Sequence, residues 1–400
     1  MMKEDITIRS LLRREIENNN GILRLEPAWV ARDFLPPGRR LGLPAEQYEL
    51  GERGGICERW LGSTTRADNK IGVPDEGLSF ISFLTGEKIT LKSAVENAPD
   101  LLMGTEYSST HNGLKRLPKI FDYEYRLPYH IHQMQQHAQL VGRNSKEEAY
   151  YFPEGLDMGK EPDTFFGVHP YITDEKKYDL LLPALVDWND DSILQFARAF
   201  KLMPNDGYHV PSGVLHAPGS ALTIELQEDS DVFAMLQAKT GGKIISKELL
   251  YKDVRPEDRE KHGEKIILEM VDWKTSGDPY FYENRHTPPL LITKQDSGEE
   301  YWIYYNTMSF SGKKLVVHPG GKFICKDKGV YNILVWRGKG IYGGFKIEAQ
   351  NFDEDELFVC YDRAVNELVV ENTGKEDLII FKFFGPGINK DVPMLKKYKA

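Results

Sequence analysis

Three histidines and a carboxylate, set in order between residues 130 and 216, constrain this chain more than any other feature. The first cluster is Tyr129-His130-Ile131-His132, followed by Lys146-Glu147-Glu148. The second is Gly207-Tyr208-His209-Val210-Pro211-Ser212-Gly213-Val214-Leu215-His216. In an extended strand residues i and i+2 leave the same face, so His130 and His132 project together. Pro211-Ser212-Gly213 reads as a tight turn feeding a strand, which fixes where His216 points. Two neutral imidazoles on one face, a carboxylate and a distant third histidine suit a borderline divalent metal. His137 and His209 fall outside this pattern and read as ordinary polar residues.

A chain of 400 residues is long enough for two or three domains and a sizeable core. With 40% hydrophobic and 28% charged residues it has the composition of an ordinary soluble globular protein. A net charge of -10 argues against a general nucleic-acid binder, because no basic excess is present to neutralise phosphates. Cys57, Cys325 and Cys360 are odd in number and widely spaced, which argues against a disulfide framework. The first residues are charged, without the apolar core of a signal peptide, and no apolar run approaches a membrane span. The expectation is a cytoplasmic protein with no membrane partner.

The spacing predicts a short helix over 5–19, stopped by Asn18-Asn19-Asn20-Gly21. Helical periodicity over 89–103 ends at Gly104, and 117–121 and 125–132 have the length of strands. Residues 174–201 read as a helical excursion between the two halves of the ligand pattern. Residues 221–227 alternate strictly, with Leu222, Ile224 and Leu226 on one face and Thr223, Glu225 and Gln227 on the other. Such a strand has either a solvated polar face or a polar face turned into a barrel. The charged stretch 251–265 reads as a surface connection. A second β-rich block follows over 290–385, punctuated by glycine pairs, and holds strands such as 331–336 and 377–384. It carries neither ligand motif, and its His318 stands alone.

The ordered set His-x-His, Glu, Pro-x-Gly-x-x-His resembles the two motifs of the cupin β-barrel. Residues 23–231 further resemble the class I mannose-6-phosphate isomerases. The likeness is carried by Leu25-Glu26-Pro27-Ala28-Trp29, Ile56-Cys57-Glu58-Arg59-Trp60-Leu61-Gly62-Ser63 and Leu117-Pro118-Lys119-Ile120-Phe121. His130-Ile131-His132 stands where the family commonly has Gln-x-His, and Lys146-Glu147-Glu148 matches its Lys-Thr-Glu. That match selects Glu148 over Glu147 as the ligand and places Lys146 on the same face. It puts the family's proton-transferring carboxylate at Glu225. The family's Ser-Asp-x-x-x-Arg is represented by Ser230-Asp231, but Met235 occupies the arginine position. The early Trp-Gly-Gly is replaced near Pro36-Pro37-Gly38-Arg39-Arg40. These departures bear on the substrate phosphate and on isomerase activity, and leave the metal ligands intact.

The resemblance implies a mainly β fold, a bicupin of two jelly-roll-type barrels with a helical insertion in the first. The expected domains are a metal-binding cupin over 22–245 and a metal-free cupin-like domain over 246–400. The implied metal set is His130, His132, Glu148 and His216, holding zinc, with Fe, Mn or Ni also suited to such ligands. The implied function is aldose–ketose isomerisation of a sugar or sugar phosphate, with oligomerisation open. Glu225 would shuttle a proton through an enediol, and Lys146 would neutralise developing negative charge. For Lys146 the plain alternative is a surface lysine. Two rival functions keep the barrel: an iron-dependent oxygenase, and a sugar-binding protein without catalysis.

Overall fold

The computed structural model describes residues 2–83 and 86–399 and is mainly β, with antiparallel sheets throughout. Among the described residues one six-stranded sheet runs Asp206–Val210, Glu148–Phe152, Thr223–Gln227, Leu117–Phe121, Gly55–Trp60 and Ala28–Arg32. A five-stranded sheet runs Ala197–Lys201, Asp163–Val168, His216–Ala217, His130–Ile131 and Ala234–Met235. The two face each other. Phe166 of the second packs its ring 6.3 Å from Tyr150 and 5.0 Å from Tyr208 of the first. The ligand pattern is thereby split, with its histidines on one sheet and its carboxylate on the other.

The C-terminal strands form a nine-stranded and a four-stranded sheet. Here the sheets do not follow the halves of the chain. Ile22–Glu26, expected in the first domain, pairs with Glu356–Val359 and with Phe80–Ser82, so these two strands, with Lys88–Thr90 beyond them, lie in the nine-stranded sheet. The C-terminal interior holds a closed set of buried ion pairs. Lys382 lies 2.7 Å from Glu300 and 2.9 Å from Asp327, and Lys313 lies 2.6 Å from Asp327 and 3.3 Å from Glu300. The three cysteines are buried and unpaired.

Several sequence expectations hold. Met2–Asn18 is a helix, ended where Asn20 and Gly21 take φ of 49° and 78°, and Leu91–Asn97 and Pro99–Met103 end at Gly104. Two need correcting. The excursion at 174–201 is helical only in short pieces, Tyr178–Leu181, Leu182–Asp187 and Ser192–Phe196, and Ala197–Lys201 is a strand. Trp188 at φ 46° breaks the helix, and pairing with Asp163–Val168 overrides the local period. In the stretch 125–132 only His130–Ile131 is strand, because Pro128 has no N–H to place in a ladder. The charged connection 251–265 carries the helix Pro256–His262.

The alternating strand is buried on both faces. Leu222, Ile224 and Leu226 pack with Ile303, Tyr304 and Phe381 of the C-terminal block, and Tyr304 Oη donates to Ile224 O at 2.8 Å. Its apolar side is therefore the seam between the blocks. The polar side, Thr223, Glu225 and Gln227, turns inward, which excludes the solvated-face reading.

Candidate metal centre

His216 opens its strand directly opposite His130, and His132 follows the His130–Ile131 strand with its ring 4.9 Å from that of His130 and 5.1 Å from that of His216. Gly213, at φ 81°, makes the turn that delivers His216, and its N–H donates to His132 O at 2.7 Å. A Cβ there would sit 2.9 Å from Met134 Cγ and 3.1 Å from the Asp272 backbone, so glycine is required on space as well as conformation. One turn thus fixes the distant histidine against the paired ones.

Each imidazole is oriented by a backbone carbonyl on its Nδ1: Pro128 O at 2.6 Å for His130, Val232 O at 2.7 Å for His132 and Val214 O at 2.8 Å for His216. A carbonyl can only accept, so Nδ1 carries the proton and Nε2 keeps its lone pair. The ring nitrogens these three residues offer lie within 4.8 Å of one another. Burial, then the neighbouring His216 and His132, hold His130 well below the usual imidazole range. Burial and the Lys146 ammonium push His132 down to about 3. Neutral imidazoles are the form that binds metal.

Glu148 enters from the facing sheet. Its Oε2 lies 2.9 Å from His132 Nε2 and its Oε1 lies 3.0 Å from His216 Nε2. Glu147, one residue earlier, leaves the opposite face, where it lies 2.5 Å from His209 Nε2 and accepts from Ser309 Oγ at 2.6 Å. His209, read from sequence as an ordinary polar residue, is buried as the hub of that contact, with Arg285 Nη1 3.1 Å from its Nδ1. Burial alone would raise the Glu148 carboxyl, but Lys146, His132 and His216 hold it well below the usual range. Lys146 Nζ is 3.1 Å from Glu148 Oε2, 2.9 Å from His132 Nε2 and 3.7 Å from Glu225 Oε1.

Glu225 sits in register between Lys119 and Tyr150 in the middle of the six-stranded sheet. Burial, reinforced by the Glu148 charge, raises its carboxyl to about 8, against the opposing pull of Lys119 and Lys146. In metal-free protein this has a measurable sign. Above its ordinary value of 4.5 the unfolded state has released this proton, while the folded state keeps it until about 8. Stability is therefore expected to fall as pH rises from 7 to 8, by up to about 1.4 kcal/mol per pH unit for one proton. Denaturant unfolding of chelator-treated protein at both pH values, with Glu225→Gln lacking that slope, checks it.

Further charges line this interior that the sequence reading did not single out. Lys119 Nζ lies 3.4 Å from Glu225 and 3.8 Å from Glu58. Glu58 also accepts from Arg32 Nε at 3.0 Å, Tyr123 Oη at 2.5 Å and Trp60 Nε1 at 2.7 Å. The charges of Arg32 and Lys119 win over burial and hold its carboxyl at about 2. Asp231, of the Ser-Asp pair, holds Arg32 at 3.1 Å, while Met235 is buried and supplies no charge. Outside Arg32 lies a cavity of about 720 Å³, lined also by Asn69, Phe233 and Lys252.

The residues fit a metal ion. His216 Nε2, Glu148 Oε2, Glu225 Oε1 and Gln227 Oε1 are buried polar atoms without a directed hydrogen bond. Such atoms are costly unless something polar meets them. Three lone-pair nitrogens beside a carboxylate are donors for a borderline divalent cation.

Neither a family profile nor a curated protein sequence matches the chain. Solved structures match it in fold. Mannose 6-phosphate isomerase from Bacillus subtilis is 14% identical, with 90% of this chain and 99% of that chain covered at a TM-score of 0.61. A mutant of phosphomannose isomerase from Salmonella typhimurium is 11% identical over 92% and 100%, at 0.63. A zinc-bound mannose 6-phosphate isomerase is 11% identical over the same shares, at 0.61. The fold is that of the mannose-6-phosphate isomerases, a cupin architecture, and the three-histidine cluster suits a divalent metal. Among the described residues no helix is long and apolar enough to cross a membrane.

Proposed function

We propose that this protein is a metal-dependent aldose–ketose isomerase acting on a sugar or sugar phosphate, with zinc held by His130, His132, Glu148 and His216. The observation that carries the reading is the set of three carbonyl-locked imidazoles facing Glu148 across the barrel, with the raised carboxyl of Glu225 beside them. When bound, a divalent metal polarises a sugar carbonyl and its neighbouring hydroxyl and acidifies the C–H between them. Glu225 takes that proton and returns it to the adjacent carbon. Lys146 cannot hydrogen-bond His132 Nε2 once that lone pair is used, and its ammonium then serves charge developing on substrate oxygen. Lys119 holds the far oxygen of Glu225 and orients it. Similarity to sugar-phosphate isomerases of the same fold supports the substrate class.

Metal analysis of protein purified without added metal, followed by turnover assays on sugars and their phosphates, tests the reading. The expected result is near one metal per chain, since among the described residues the one histidine cluster that could hold a metal is that of His130, His132 and His216, and interconversion of an aldose and a ketose. Two metals per chain would sink the single-centre assignment. Saturable sugar binding without turnover would favour the binding-protein alternative, and iron with oxygen consumption the oxygenase.

A further inference from the structure

We propose that Tyr150 is a positioning residue of the metal centre, its phenol fixing the Glu148 oxygen that faces His216. The inference rests on the metal reading above and adds a residue to it. Tyr150 lies two positions after Glu148 on the Glu148–Phe152 strand, so both side chains enter the barrel. Its hydroxyl donates to Glu148 Oε1, the atom 3.0 Å from His216 Nε2. Lys146 Nζ takes the other oxygen at 3.1 Å. The carboxylate is therefore held at one oxygen by a hydrogen bond and at the other by the charge of Lys146. That restraint matters because the last torsion of a glutamate is broad, and an unheld carboxylate would swing between binding through one oxygen and through two.

The phenol can do this because its own ring is immobilised. Phe121 meets it edge-on at 5.9 Å, and Phe166 stacks at 6.3 Å. The side chain is 1% exposed. Partners that orient metal ligands in this way commonly contribute 10–100-fold to metal affinity.

Tyr150→Phe removes the hydroxyl and keeps the ring. Cobalt(II) is the probe, with its dissociation constant measured by chelator competition and its visible absorption recorded on the loaded protein. The expected result is a dissociation constant raised about 10-fold or more, together with shifted visible bands. Affinity within about twofold of wild type, or weaker affinity with superimposable bands, overturns the proposal, because packing alone does not change the ligand field. Wild-type protein that takes up no cobalt brings down the metal reading and this inference together. Wild type that binds, beside an unchanged variant, brings down Tyr150 alone. Should the variant fail to fold, ring-carbon-labelled tyrosine in wild type provides the readout. Cobalt loading is expected to move a tyrosine resonance strongly, and unmoved resonances overturn the proposal.

Discussion

Replacing Glu225 with glutamine is expected to lower sugar turnover at least ~100-fold while leaving metal content and sugar affinity close to wild type. The substitution keeps the size of the side chain and an oxygen to face the ammonium groups of Lys119 and Lys146, which lie 3.4 and 3.7 Å from the carboxylate oxygens. What it removes is the only function a glutamine cannot supply, acceptance of a proton from carbon. Loss of metal would point to a different role for Glu225. Metal analysis, sugar titration and initial rates on the same preparation separate the cases. Unchanged turnover takes Glu225 out of the mechanism.

His216→Ala is expected to abolish turnover by stripping the metal. Its loss should exceed the roughly 10–100-fold in affinity that removal of a ligand's orienting partner costs. The barrel is expected to stay folded. His216 Nε2 makes no directed hydrogen bond, and the strand around it is held by backbone pairing to His130 and Phe166. Some stability is lost with the ring, which packs 4.0 Å from that of His130. Circular dichroism should therefore remain native while metal content falls well below one per chain. Retained metal at full stoichiometry would remove His216 from the ligand set.

The three histidines were legible because their placement obeys local rules. A two-residue period puts His130 and His132 on one face, and a proline–glycine turn aims His216. The choice between Glu147 and Glu148 was not legible from spacing alone, since either could be called inward until the strand's register was known. The resemblance selected Glu148, and the structure puts Glu147 on the opposite face against His209. The alternation at 221–227 left its faces open for a physical reason. An apolar face looks the same whether it meets a barrel's own core or, as Ile224 does, a second block of the chain.

Lys119 left a signal that could have been used, since it is a lone charge in an apolar strand segment, and such charges are seldom buried without a partner. The Arg32–Asp231 pair left none, because partners 199 residues apart meet only through the fold. The strand Ala197–Lys201 was missed for the same reason, its identity being set by the neighbour it pairs with rather than by its own period.

The pairing of Ile22–Glu26 with Glu356–Val359 also fixes an order of events during synthesis. The ribosome makes Ile22 roughly 340 residues before Val359, its register partner. At roughly 5–20 residues per second the earlier strand waits on the order of 20–70 s for the later one. During that interval Leu23, buried at the end, lacks its register partner Phe358, and the strand can pair only with Phe80–Ser82. The blocks are thus not made one after the other like beads. The last strands to emerge close the fold around one of the earliest.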